Sequence, residues 1–205
     1  MSGDQPLHQW RELLSQWSDE MLADRQFQNE FPPEVTALRW LGFDSATEEQ
    51  IAQAEHQLGT TFPPSYREFL QTTNGWRRTT PFIAKLWSTE EIAWFRTRHQ
   101  QDWIDPWTLG SRVYGESVTV SDDKYFVYGE EQDPAWMREE YLPTALEISD
   151  VGDSAIYLLN PQVVTPDGEW EAWFFASWLP GANRYHSFWD LMQAEHKNFL
   201  SLRSA

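Results

Sequence analysis

The chain predicts an α+β fold, built as one domain with an N-terminal helical extension. Three features of the sequence point there. Helical periodicity fills most of the first half, strand-like runs cluster between residues 118 and 176, and a last helical pattern closes the chain. Its 205 residues suffice for one substantial core without disulfide staples.

In chain order, Trp10, Leu13 or Leu14, Trp17 and Met21 share a helical face, which predicts an amphipathic helix from Pro6 to about Glu30. Phe31-Pro32-Pro33 breaks it, and Val35 to Phe43 read as a linker or short strand. Thr47 with Gln50 forms a capping box for a helix to Leu58, with Ile51, Glu55 and Leu58 on one face. Gly59 suits the left-handed residue that ends such a helix. Pro63 and Pro64 open the next helix, because proline fits a first turn where its missing N–H costs nothing. Tyr66, Phe69, Leu70 and Thr73 continue it until Asn74-Gly75.

Beyond that point Pro81 to Trp87 read as a strand. Ser88-Thr89-Glu90-Glu91 is a second capping box, predicting a helix through Ile92 and Phe95. The stretch from His99 to Gly115 is irregular. Strands are expected near Val118–Val120, Tyr125–Tyr128, Ala145–Ile148, Ala155–Leu159 and Trp170–Ala176. In the last, Trp170, Ala172 and Phe174 fall on one face and Glu171, Trp173 and Phe175 on the other. Large aromatics on both faces imply a covered sheet or one exposed aromatic patch; packing is favoured, since aromatics dominate core energetics. Ser187 caps a final helix with Phe188, Leu191 or Met192, and Phe199 on its apolar face.

The run LG-x-x-FPPSYREFL-x-x-x-NGW from Leu58 to Trp76, preceded by ATEEQI, closely resembles the hallmark of the SUKH superfamily. The order of the later elements is similar too: the acidic-glycine segment Asp150-Val151-Gly152-Asp153 comes before a hydrophobic strand, and Ser187-Phe188-Trp189-Asp190-Leu191 opens the last helix. The superfamily includes a yeast cell-wall assembly regulator and many bacterial immunity proteins. The resemblance implies a mostly antiparallel twisted sheet packed by helices over residues 44–205, with residues 1–43 as the helical extension. It says less about function, because one fold hosts many sites.

Composition narrows the function. With no cysteine there is no disulfide, thiolate metal ligand or cysteine nucleophile, which suits a reducing cytoplasm. No run approaches the ~18 apolar residues of a membrane helix, and the first residues lack the basic flank and apolar centre of a secretory signal. The net charge is −17, from 32 acidic and 15 basic residues. Between Gly115 and Glu171, fourteen acids against two bases concentrate −12 of it and leave −5 elsewhere. That sign disfavours nucleic acid and favours a basic protein partner. A generic acidic surface that only keeps the protein soluble accounts for the same charge equally well.

Chemistry is sparse. There is no G-x-S-x-G, H-E-x-x-H, phosphate-binding loop or dinucleotide fingerprint, and the five histidines are scattered. His56 reads as a solvated helix residue. The doublets Glu48-Glu49, Glu90-Glu91, Glu130-Glu131 and Glu139-Glu140 invite a glycosidase reading. However, the first two complement helix N-termini and the others sit in or beside an acidic loop. Asp150 and Asp153 supply too few ligands for calcium and favour a tight turn. The expectation is therefore a non-enzymatic binding module without cofactor, metal or catalytic residue, cytoplasmic and a monomer or weak dimer. The resemblance suggests an immunity protein that neutralises a basic toxin domain, such as one acting on nucleic acid; a cell-wall or glycan-associated regulator is the alternative. Asp122, Asp123, Glu130, Glu131, Asp133, Glu139 and Glu140 are the expected steering residues, with Trp136 and Tyr141 as anchors.

Overall fold

The computed structural model describes residues 4–27, 30–108 and 120–203. Helix α1 spans Asp4–Ala23, α2 Pro33–Leu38, α3 Glu48–Leu58 and α4 Pro64–Thr72. Strand β1 (Ala93–Trp94) leads into α5 (Phe95–His99), which runs on as a π-helical turn over Gln100–Ile104. Single turns at Asp122–Tyr125, Gly129–Glu131 and Glu139–Thr144 precede β2 (Leu146–Glu147), β3 (Ala155–Val164), β4 (Trp170–Ala176), β5 (Ala182–Tyr185) and α6 (Phe188–Arg203). The five strands form one antiparallel sheet in the order β1-β2-β3-β4-β5. Successive strands are thus neighbours throughout, the α+β meander that the sequence and the resemblance imply.

The pleat of β3 and β4 divides the interior in two. Tyr157, Leu159, Ala172 and Phe174 face a large core shared with α1, α3, α4 and α6. Ile156, Leu158, Trp173 and Phe175 face a smaller one closed by Phe95, Ile104, Met137 and Leu142. All seven residues of β4 are buried, so the covered sheet is the correct alternative for its two aromatic faces.

Helix α1 is built into the large core. Trp10, Leu14, Trp17 and Met21 recur at helical spacing and all are almost wholly buried. Trp10 meets Phe69 at 5.4 Å, Phe188 at 5.5 Å and Trp189 at 4.7 Å. Trp17 donates its indole N–H to the Thr79 carbonyl at 3.1 Å. The helix stops at Ala23, short of Glu30, because Asp24 turns the chain: its carboxylate accepts from Gln26 N–H at 2.8 Å. The Val35–Phe43 linker contains α2 instead of a strand. Pro33 occupies its first turn and Arg39 ends it at φ 52°.

The two signature helices form as their sequence predicts. Thr47 and Gln50 exchange both capping-box hydrogen bonds, and Gly59 closes α3 at φ 68°. Proline leaves α4 without a cap of its own. Glu169, before β4, supplies it, accepting from Ser65 N–H at 2.8 Å and Ser65 Oγ at 2.6 Å. Ser187 caps α6 through Asp190 N–H at 3.1 Å.

Elsewhere long-range contacts override local pattern. Pro81–Trp87 is not a strand; Leu86 alone bridges Trp76 and Ser149. The Ser88–Glu91 box forms only in half: the Glu91 carboxylate accepts from Ser88 N–H at 3.0 Å, but Ser88 Oγ donates to that carboxylate at 2.9 Å instead of accepting from Glu91 N–H, which goes to the Ser88 carbonyl. Yet no helix grows from it, because Ala93 and Trp94 are taken by β2. Tyr125–Tyr128 is a turn and an extended segment rather than a strand. Of Val118–Val120 only Val120 lies among the described residues, outside any element. Strands β1 and β5 escaped the sequence pattern, β1 because it is two residues long and β5 because Asn183 and Arg184 interrupt it.

Both the aromatic packing and the buried acid of this core can be measured. Trp10→Ala removes the ring joining α1 to α4 and α6, and denaturant titration should show a loss of about 3–5 kcal/mol. The acid is Glu195 on α6, where burial pushes the carboxyl up to about 7 although the Tyr157 hydroxyl donates to it at 2.6 Å. A raised carboxyl binds its proton more tightly in the folded state. Its stabilisation is full below about 4.5 and lost as pH rises through about 7. Glu195→Gln should therefore flatten the fall in stability across that window and gain on the order of 2 kcal/mol at pH 8 relative to the parent.

Candidate functional site

Strand β4 places a carboxylate where hydrophobic side chains surround it. Glu171 is 1% exposed and lies on the face of Trp173, directly opposite Asn160 of β3. A buried carboxylate is costly unless every lone pair finds a donor. Here four neutral donors converge: Tyr125 Oη at 2.5 Å, Trp173 Nε1 at 2.6 Å, Tyr128 Oη at 2.8 Å and Asn160 Nδ2 at 2.9 Å. Burial first, and then the Glu171 charge, push both tyrosine hydroxyls above their ordinary value, so they remain donors.

Arg184 of β5 is wholly buried beside them, paired in register with Trp173. Its guanidinium donates to the Tyr125 carbonyl and lies 4.5 Å over the Tyr125 ring. Its backbone N–H donates to Gln132 Oε1 at 2.6 Å, and Gln132 Nε2 donates back to the Arg184 carbonyl at 3.1 Å. The segment from Val120 to Tyr141 is therefore latched to the sheet by polar groups. Arg138 completes the latch. It donates to the Val120 carbonyl at 2.9 and 2.7 Å, to Tyr141 Oη at 3.1 Å and to Asp122. Ala182 N–H donates to the Pro134 carbonyl at 3.2 Å. Gly181 is required there, since a Cβ would stand 2.1 Å from that same oxygen.

On this latched segment the expected steering carboxylates project outward. Asp122, Asp123, Glu130, Glu131, Asp133 and Glu140 are exposed, and Glu139 is half-buried. The hydrogen bond from Ser121 and the local backbone N–H hold Asp123 below the usual carboxylate range. Asp122 is occupied by Arg138, so its charge is largely answered inside the molecule. The two expected anchors differ. Trp136 is 37% exposed with the Lys124 ammonium 4.0 Å over its ring. Tyr141 is half-buried, edge-on to Tyr125 at 5.8 Å and bonded to Arg138, so it serves the fold.

Sequence reading passed over Glu171 and Arg184, and over the exposed rings of Phe126 and Trp178. A carboxylate inside an aromatic strand is the signal that could have found Glu171. The other doublets have local work. Glu48 is held by Arg67 at 3.1 Å and Gln71 at 2.5 Å, and Glu91 by Lys85 and Ser88. Glu147 is buried with Arg98 at 3.0 Å and His99 at 3.4 Å, tying α5 to β2. His56 is exposed on α3. Among the described residues no three His, Cys, Asp or Glu side chains group to hold a metal ion. Nor is any described helix long and apolar enough to cross a membrane.

An antiparallel meander covered on one face by the PPSYR helical pair and a closing helix, with an acidic segment latched on its second face, defines a SUKH-type α+β domain. The chain belongs to the SMI1 / KNR4 family (SUKH-1), whose model matches residues 45–198. No curated protein matches it.

Replacing Glu171 by Ala would leave two tyrosine hydroxyls, an indole and an amide unpaired around a cavity. A stability loss of about 3–5 kcal/mol is expected. Hydrogen exchange should show protection falling first at residues 125–132, with the α1–α4–α6 core affected least. Uniform loss of protection across the molecule would count against a latch confined to this segment.

Proposed function

We propose that the chain is a non-enzymatic protein-binding module of the cytoplasm, an immunity protein that neutralises a cognate toxin domain by covering it. SUKH domains generally bind rather than transform, and α+β scaffolds of this kind leave function to their surfaces. The observation that carries the reading is the latched acidic segment. It concentrates exposed carboxylates on a backbone that Glu171, Arg184 and Arg138 hold still. A rigid electronegative face favours a basic partner, such as an enzyme whose own substrate is nucleic acid. Long-range attraction would speed encounter, and contact with exposed aromatic rings would then hold the complex over the toxin's cleft.

The test begins with the partner recovered by pull-down from the native host, or with a toxin domain encoded beside this chain, whose growth inhibition the protein should relieve. Glu130→Lys with Glu131→Lys should lower the association rate about tenfold at low ionic strength and flatten its salt dependence. An unchanged rate and unchanged salt dependence would remove the steering role.

A further inference from the structure

Two turns meet at the end of the sheet near Ala155 and Ala176. The β2–β3 connection closes with Ala155 N–H donating to the Gly152 carbonyl at 2.8 Å and Gly152 N–H returning to the Ala155 carbonyl at 3.2 Å. The two residues between, Asp153 and Ser154, both have left-handed backbones, φ 45° and 59°. Such a turn matches the twist of a hairpin, but its usual occupants are Asn-Gly or Asp-Gly. A side chain at each position costs ~1–2 kcal/mol, least for Asp. Gly152 cannot relax it, because a Cβ there would lie 2.1 Å from the Phe82 carbonyl oxygen.

That tight turn is braced by the β4–β5 turn. Ser177 N–H donates to the Ser154 carbonyl at 2.9 Å, and Trp178 Nε1 donates to the Asp153 carbonyl at 3.2 Å. The Trp178 ring also rests on Phe82 at 5.5 Å and Phe174 at 5.7 Å. One hydrogen bond and two ring contacts thus fix the indole, yet it is 51% exposed. Val151 beside the turn is 39% exposed. Asp153 is exposed and makes no ion pair with any described residue. Its neighbour Asp150 is used internally, accepting from Ala84 and Lys85 N–H at 3.2 and 3.1 Å.

We propose that Trp178 and Asp153 form a seat for an arginine side chain presented by a protein partner. A guanidinium is planar, stacks on an indole face and turns its N–H fork to a carboxylate, all of which a lysine ammonium does less well. The site is an open surface on a chain of net charge −17, so complementary charge on a protein loop fits it. The ring and the backbone that carries the carboxylate are held in place before binding, which lowers the cost of ordering them. The β4–β5 turn that carries Trp178 is also joined to the acidic segment through the Pro134–Ala182 hydrogen bond. Only the identity of the partner rests on the function proposed above; the chemistry of the seat does not.

The experiment is a titration of ¹⁵N-labelled protein with acetyl-Gly-Arg-Gly-amide and its lysine counterpart, following the indole resonance that Trp178→Phe removes. The arginine peptide should shift that resonance saturably, and the lysine peptide should bind about threefold or more weakly. Asp153→Asn keeps the turn, because Asn tolerates the left-handed region, and should abolish the preference. Charge reversal at Glu130 and Glu131 should leave this response unchanged. No shift, an equal response to lysine, or an Asp153→Asn variant that still prefers arginine would overturn the seat. If the seat is silent while charge reversal slows partner association, the steering reading survives alone; the converse leaves the seat and removes the steering.

Discussion

The carboxylate of Glu171 sits where the fold can least tolerate a bare charge, in a strand buried on both faces. Desolvating a carboxylate costs several kcal/mol even after relaxation, so the surrounding chain must supply donors. Two of them, Asn160 and Trp173, come from the sheet itself. The other two, Tyr125 and Tyr128, come from the segment after Val120, whose Tyr125 and Met137 are buried while Phe126 and Trp136 stay exposed. The need of one buried group therefore helps to decide the path of that segment. Arg184 strengthens the same bond from β5, taking the Tyr125 carbonyl and lying over its ring. Every exposed carboxylate between residues 122 and 140 inherits its position from these contacts.

The larger core poses a different constraint. The family match begins at residue 45, yet Phe69 and Phe188 within it are buried with the help of Trp10 from α1. The extension closes a surface that the rest of the chain would leave open. Its inner face is consequently unavailable as a binding arm, and α1 holds α4 and α6 in place. The same core holds Glu195 bonded to Tyr157, whose hydroxyl also meets Thr79 at 2.9 Å. Each core thus contains a buried carboxylate satisfied mainly by neutral partners, one tying helix to sheet and the other tying loop to sheet.

What the sequence disclosed was local. The Thr47–Gln50 box, the Gly59 stop, the Pro63–Pro64 entry and the alternation of Trp170–Ala176 all depend on residues within a turn or strand of one another, and all formed. The errors came where a distant group won. Tyr125–Tyr128 has strand composition, but its hydroxyls are claimed by a carboxylate more than 40 residues away. The Ser88–Glu91 box closed only in half and started no helix, because β2 took the next residues. At the candidate site, acidic clustering was visible while its division was not: Asp122 and Tyr141 are engaged by Arg138, whereas Glu130 and Glu131 face solvent. With thirteen tryptophans, composition offered no means of telling the exposed Trp178 from the buried Trp173.

A surface of this kind separates the rate of association from its strength. Exposed carboxylates act through water, and salt screens them beyond about 8–10 Å under physiological conditions, so they bias approach more than they hold a complex. Holding requires contacts that exclude water, which aromatic rings fixed by their own packing can provide at small entropic cost. Trp178 is braced by Phe82, Phe174 and the Asp153 carbonyl, whereas one face of Trp136 is overlain by Lys124. The position of strongest charge and the position of strongest contact need not coincide. On the reading proposed above, charge reversal on the acidic segment would change the rate of approach, while loss of the Trp178 ring would change how long a complex lasts.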